Sequence, residues 1–85
     1  MTYVINLKQS AEKELKKLPG MIHNRIVEHL LLLKDNPRPQ RVKKLRGSEG
    51  YRIRVGEYRV LYTINDEAGI VEISSIAHRR EAYRF

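Results

Sequence analysis

The apolar residues at the start of the chain predict a short strand followed by a helix. Residues 3–7, YVINL, are rich in strand-forming side chains. The next apolar residues fall on one helical face, and these are Ala11, Leu15 and Leu18. Ser10 is suited to the N-cap of that helix. We expect the helix to end near Leu18, because the proline that follows disfavours helical backbone angles in the residue before it.

The following segment predicts a second and longer helix. Its apolar positions recur every three or four residues, at Ile22, Ile26, Leu30 and Leu33. Pro19 suits the first position of a helix, and the sequence Asp35-Asn36-Pro37 ends it. The short joint between the two helices indicates a helical hairpin.

The second half of the chain alternates apolar and polar residues with a period of two, which is typical of strands. Three such segments, Tyr51–Val55, Tyr58–Asn65 and Ile70–His78, are separated by short turns that contain glycine. Turns of this length join antiparallel strands, so the three segments predict a meander. The preceding basic segment, residues 38–46, is expected to be partly extended.

The order of elements predicts an α+β fold with an N-terminal strand, a two-helix hairpin and an antiparallel β-meander. Helices packed on one face of the sheet would bury its apolar side. With 85 residues, the chain has the length of one small domain, and residues 1–85 are expected to form it. The sequence contains no signal peptide and no apolar run long enough for a bilayer, so we expect a cytoplasmic protein without a membrane partner.

The balance of charge narrows the possible functions. The chain has 17 lysine and arginine residues against 10 aspartate and glutamate residues, a formal net charge of +7. This excess favours a polyanionic partner, with nucleic acid ahead of a membrane surface. The chain has no cysteine, and none of its acidic residues and histidines have metal-ligand spacing. We therefore predict neither a metal site nor another cofactor.

The sequence YRIRVGEYRVLY, residues 51–62, places three arginines in the first predicted hairpin. Because strand side chains alternate between the two faces, Arg52 and Arg54 point away from the apolar set, as does Arg59 in the next strand. The helices require the apolar face. The three guanidinium groups are therefore expected to meet on the other face, where they could bind phosphate.

Three motifs in order resemble the RelE branch of the RelE/ParE toxin superfamily. They are KKLRG at 43–47, YRIRVGEYRVLYTI at 51–64 and IAHRREAYR at 76–84. The resemblance covers essentially the whole chain and implies a RelE-like, microbial-RNase-like fold. It also implies the toxin of a type II toxin–antitoxin system, which enters the ribosomal A site and cleaves mRNA. An acidic, RelB-like antitoxin would bind such a toxin in a hetero-oligomer.

The resemblance also assigns roles to individual positions. Its catalytic positions fall on Arg52, Arg54, Arg59, Arg79 and Tyr83. Neighbouring basic residues are expected to bind RNA, namely Lys43, Lys44, Arg46 and Arg80. Arg79 and Arg80 are adjacent, so the motif does not separate their roles.

Cleavage of RNA without a metal ion needs a base for the ribose 2′-hydroxyl, cations for the phosphate and an acid for the leaving oxygen. The family often has lysine at the positions of Arg52 and Arg54. Arginine stays protonated and cannot act as the base, so these two residues are expected to bind and stabilise charge. Tyr83 and His78 remain as alternative proton-transfer groups, and His78 is therefore added to the catalytic candidates.

Two other functions remain open from the sequence. A ParE-like toxin acting on DNA gyrase shares the fold, although that branch usually lacks the clustered arginines and the tyrosine near the C-terminus. A non-catalytic basic module that binds nucleic acid is the other, because arginine replaces lysine at positions 52 and 54.

Overall fold

The computed structural model describes residues 2–45 and 50–78. The elements are β1 (Val4–Leu7), α1 (Gln9–Lys17), α2 (Gly20–Asp35), β2 (Lys43–Lys44), β3 (Tyr51–Val55), β4 (Tyr58–Asn65) and β5 (Ile70–His78). The predicted α+β fold is confirmed, and the basic segment before β3 contributes one short strand, β2. Neither helix in this part of the chain is long and apolar enough to cross a membrane.

The strands of the described residues form one mixed sheet in the order β1-β5-β4-β3-β2. Strands β3, β4 and β5 form the predicted antiparallel meander, and β2 lies antiparallel beside β3. β1 runs parallel to β5, with Val4 opposite Ile70 and Leu7 opposite Ile73. The first strand of the chain therefore lies beside the last strand that the structure describes.

Helix α1 begins immediately after β1. Lys8 continues the sheet, because its backbone N–H donates to the carbonyl of Ile73 at 2.9 Å. Lys8 is also the N-cap residue of α1, and it makes no side-chain capping hydrogen bond. The predicted cap at Ser10 is therefore wrong: the parallel strand leads directly into the helix two residues earlier.

The joint between the helices has the predicted position. Leu18 takes extended backbone angles, φ −74° and ψ 144°, and α1 ends before it. Pro19, which disfavours a helical residue at position 18, is the N-cap of α2 and not the predicted first helical residue, because α2 begins at Gly20.

Both helices pack on the same face of the sheet, where the core lies. The buried apolar side chains are Ala11, Ile26, Leu30, Leu33, Ile53, Val55, Val60, Tyr62, Val71, Ile73 and Ile76. Tyr62 is fully buried, and its hydroxyl donates to the carbonyl of Pro37 at 2.8 Å. This bond joins β4 to the segment that follows α2, and burial raises the pKa of Tyr62 to about 12.

A candidate phosphate-binding site on the outer face of the sheet

The hairpin of β3 and β4 carries three arginines on its outer face, the face away from the helices. Arg54 lies directly opposite Arg59 across the two strands, and Arg52 is two residues from Arg54 on the same face of β3. The alternate residues Ile53 and Val60 are buried in the core. The structure therefore brings these three predicted site residues together, as the alternation indicated.

The segment before β3 adds two further cations to this face. Lys43 lies opposite Arg52 across β2 and β3. Arg41, in the turn before β2, lines a small cleft of about 110 Å³ together with Lys43 and the three hairpin arginines. We call this group the cationic cleft, and its members are Arg41, Lys43, Arg52, Arg54 and Arg59.

Arg41 is the residue of the cleft that sequence reasoning missed. A signal for it was present, because Arg41 and Lys43 flank the apolar Val42, which packs against the core. An alternation of this kind places the two basic residues on one face. The sequence predicted only a partly extended segment here, and a turn over residues 39–42 interrupts it before β2.

The cleft concentrates like charges at close range. Lys43 opposite Arg52, and Arg54 opposite Arg59, are both like-charge pairs in directly facing positions, which destabilise a sheet. Arg54 is held partly by its own turn, since its Nε donates to the carbonyl of Gly56 at 3.0 Å. An anion bound among these cations would offset their mutual repulsion and accept hydrogen bonds from the guanidinium groups.

His78 lies on the other face of the sheet from the cationic cleft. It is opposite Tyr58 across β4 and β5, and the two rings make an edge contact with centroids 5.2 Å apart. His78 lies on this face because the pairing of β4 with β5 is irregular beside Leu61, where Ser74 has no partner residue on β4. An unbroken alternation would place His78 on the same face as Glu72, and the irregularity reverses this.

The remaining predicted site residues are placed as follows. Lys44 lies opposite Tyr51, so it points to the other face of β2 from Lys43. Four lie outside the described residues, namely Arg46, Arg79, Arg80 and Tyr83.

A cluster of hydrogen-bonded polar side chains lies at the base of the turn that carries Arg41. The guanidinium of Arg38 forms a two-pronged ion pair with Asp66, with Nη2–Oδ2 at 2.9 Å and Nη1–Oδ1 at 3.3 Å. The Arg38 Nε donates to the Tyr51 hydroxyl at 3.2 Å, and the Tyr3 hydroxyl donates to Asp66 Oδ1 at 2.6 Å. The hydrogen bonds from Arg38 and then from Tyr3 lower the pKa of Asp66.

The chemistry available to the cleft follows from its residue types. Guanidinium groups bind phosphate oxygens with two parallel hydrogen bonds and stay protonated in proteins. The four arginines of the cleft therefore suit the stabilisation of negative charge, and proton transfer needs a group other than these arginines. Within residues 2–45 and 50–78, no group of three or more histidines and acidic residues is placed to hold a metal ion.

Comparison with known proteins gives consistent results at the level of family. A model of the family described as the ParE toxin of type II toxin–antitoxin system, parDE, matches residues 5–83. A protein of Methanocaldococcus jannaschii that carries the name RelE1 is 34% identical, over 99% of this chain and 98% of its own length. Toxin RelG of Mycobacterium tuberculosis is 31% identical, over 99% of both chains.

A solved structure extends the similarity to three dimensions. It is the crystal structure of the archaeal RelE–RelB complex from Pyrococcus horikoshii OT3, with a TM-score of 0.84 and 32% identity. The match covers 93% of this chain and 97% of the other. At this TM-score and coverage, the two chains share their fold over most of this chain.

Proposed function

This chain belongs to the RelE/ParE superfamily of toxins of type II toxin–antitoxin systems, in its RelE-like branch, and we propose that it is a ribosome-dependent endoribonuclease. The single observation that carries the proposal is the cationic cleft. It gathers five cations from two segments of the chain on one face of the sheet. Such a site matches the spaced phosphates and the transition-state charge of an RNA strand. We propose that the toxin acts in the cytoplasm on mRNA in the ribosomal A site.

The proposed reaction is an attack of the ribose 2′-hydroxyl oxygen on the adjacent phosphorus. A base removes the 2′ proton while the new oxygen–phosphorus bond forms, and negative charge builds on the non-bridging oxygens. Arg59 and Arg54 would donate hydrogen bonds to these oxygens. The bond from phosphorus to the 5′-oxygen then breaks, and an acid protonates that oxygen. The products are a 2′,3′-cyclic phosphate and a 5′-hydroxyl end.

Tyr83 is our candidate for proton transfer. Arg52 and Arg54 stay protonated, so neither replaces the base that lysine could provide at those positions. His78 packs against Tyr58 on the helix-covered face, which disfavours it as a group that reaches the cleft. A nearby cationic field would lower the pKa of a tyrosine and make its hydroxyl a better proton carrier.

The proposed partner is an acidic antitoxin. The relative of known structure from Pyrococcus horikoshii is a complex of RelE with RelB. The net charge of +7 on this chain would speed its encounter with an acidic protein, and the rate would fall as salt rises. Copurification from the native operon tests this directly, and recovery of the toxin alone would count against an obligate antitoxin.

The second candidate function is that of a ParE-like toxin acting on DNA gyrase. The matching family model is described by the name ParE, and this observation keeps the candidate open. The clustered arginines on the outer face favour the RNA-cleaving function, because a toxin that acts only by binding gyrase has no need to stabilise phosphate charge in a transition state.

One experiment separates these functions. The chain is expressed from an inducible promoter, and the 5′ ends of mRNA on translating ribosomes are mapped before and after induction. DNA breaks that depend on gyrase are scored in the same cultures. New mRNA ends within codons, without DNA breaks, are the expected result. DNA breaks without new mRNA ends would establish the ParE-like function, and neither change would indicate a non-catalytic module.

A further inference from the structure

We propose that Arg41 is a phosphate-binding residue of the cationic cleft and that the ion pair of Arg38 and Asp66 positions it. The inference rests on the proposed function, since it assigns the cleft an RNA phosphate as ligand. It adds one binding residue and one positioning pair to the residues that the resemblance implies.

Arg41 is presented by a tight turn. The backbone N–H of Val42 donates to the carbonyl of Pro39 at 3.0 Å, which closes a turn over residues 39–42. Arg41 is the third residue of this turn, and its side chain lines the cleft with Arg54 and Arg59. After the turn, Lys43 and Lys44 of β2 pair with β3, and the Leu45 N–H donates to the Gly50 carbonyl at 2.9 Å. A two-residue edge strand gives little support. Val42, which packs against the core, and the hydrogen bond from Tyr62 to the Pro37 carbonyl hold the backbone near the turn, and an anchor at residue 38 adds to them.

Arg38 provides that anchor immediately before the turn. Its guanidinium binds both carboxylate oxygens of Asp66, in the connection between β4 and β5. The same guanidinium lies over the ring of Tyr51, with its central carbon 5.4 Å from the ring centroid. The Tyr3 hydroxyl, just before β1, also donates a hydrogen bond to Asp66. The base of the turn is thus joined to three other parts of the fold.

The anchor opposes a force that the cleft itself creates. Arg41 and Lys43 carry positive charge towards the three hairpin arginines, and repulsion favours movement of the turn away from β3. An isolated exposed ion pair contributes at most ~1 kcal/mol to stability. The pair of Arg38 with Asp66 has two parallel hydrogen bonds, and the guanidinium lies over the Tyr51 ring. A lysine at position 38 could form neither arrangement, so we expect the anchor to require arginine.

The test measures binding of an RNA that cannot be cleaved. A labelled single-stranded RNA of twelve nucleotides, methylated at every 2′-oxygen, is titrated with the full chain at several salt concentrations. The variants are Arg41→Ala, Asp66→Asn and their combination. We expect Arg41→Ala to weaken binding about tenfold and to reduce the slope of log K against log salt by about 0.7, the value for one phosphate contact on a single strand.

The decisive comparison is a double-mutant cycle. Asp66→Asn is expected to weaken RNA binding roughly fivefold alone and less than about twofold in the Arg41→Ala background, because coupled residues are not additive. Glu72→Gln is the matched control. It removes one carboxylate from a strand of the same sheet, where Glu72 faces Lys8 at 3.9 Å. If net charge alone mattered, both substitutions would tighten the binding of RNA, because each removes one negative charge. If Asp66 positions Arg41, only Asp66→Asn weakens the binding.

Other outcomes overturn the inference. Binding by Asp66→Asn as tight as that of the unsubstituted chain, or losses that add in the double variant, would show that the pair does not act through Arg41. Arg38→Lys provides a second test with unchanged charge, and it is expected to match Asp66→Asn; urea midpoints verify that each variant is folded. Because the RNA cannot be cleaved, this result does not depend on catalysis, and mapping of mRNA ends tests the proposed function separately.

Discussion

Arg54 and Arg59 lie directly opposite each other on β3 and β4, with both side chains on the outer face of the sheet. Facing positions in a sheet favour opposite charges or apolar pairs, and two arginines there lower the stability of the folded chain. A phosphate bound between the two guanidinium groups accounts for this arrangement, because each arginine then attracts the anion and their mutual repulsion is offset.

The first prediction concerns catalysis. Replacement of Arg59 by alanine removes a donor to the phosphate charge, and such a loss costs roughly a hundredfold in rate, or ~3 kcal/mol. The measurement is single-turnover cleavage of mRNA on programmed ribosomes, with circular dichroism to verify the fold. Lys13→Ala is the matched control, since Lys13 is an exposed cation on α1. Full activity in a folded Arg59→Ala variant would exclude Arg59 from the reaction.

The second prediction concerns the repulsion within the cleft. Sulfate should stabilise the fold by occupying the cleft, by about 1.4 kcal/mol at ten times its dissociation constant. The measurement is the melting temperature in sodium sulfate and in sodium chloride at equal ionic strength. Sulfate also stabilises proteins generally, so the informative quantity is the difference between the unsubstituted chain and Arg54→Ala. An equal gain in both proteins would mean that the cleft does not bind the anion.

The third prediction distinguishes the two proton-transfer candidates. Tyr83→Phe keeps the aromatic ring and loses the hydroxyl, so we expect clearly slower cleavage with nearly unchanged ribosome binding. His78→Gln should have the smaller effect, because His78 contacts Tyr58 on the helix-covered face. Single-turnover cleavage and ribosome cosedimentation measure the two properties. The assignment of Tyr83 fails if Tyr83→Phe and the unsubstituted chain cleave at equal rates.

The fourth prediction concerns pH. Arg38 and Tyr3 hold the pKa of Asp66 below its ordinary value in the folded state. The resulting stabilisation is present above the unfolded pKa of about 3.9 and is lost as the pH falls through the folded pKa. Melting temperatures of the unsubstituted chain and Asp66→Asn should therefore differ at pH 6 and converge towards pH 2.5. A constant difference over this range would show that Asp66 contributes nothing as a carboxylate.

Much of this fold follows from local sequence patterns. The helical spacing of Ile26, Leu30 and Leu33 identified the buried stripe of α2, and all three are core residues. Period-two alternation also assigned the hairpin arginines to a face of the sheet. Both patterns depend on nearest neighbours along one element, so a single sequence contains the information needed.

Other features depend on contacts that a local pattern does not record. The irregularity at Ser74 changes which β5 residues lie on the outer face of the sheet, and it is visible only when β5 is paired with β4. The anchor of Arg38 joins residues from separate parts of the chain, and Asp66 lies in a short turn between two predicted strands, where a local pattern assigns it no partner. The proton-transfer group stays a prediction, since Tyr83 lies outside the described residues.

The parallel pairing of β1 with β5 has a consequence for synthesis. A ribosome makes β1 first and β5 last among these strands, and within the described residues β1 takes β5 as its partner strand. The sheet of a growing chain thus stays incomplete until residues 70–73 have left the exit tunnel. Contacts between such distant segments also slow folding. We therefore expect the toxin to fold only after β5 has been synthesised. Until then, the nascent chain lacks the complete sheet.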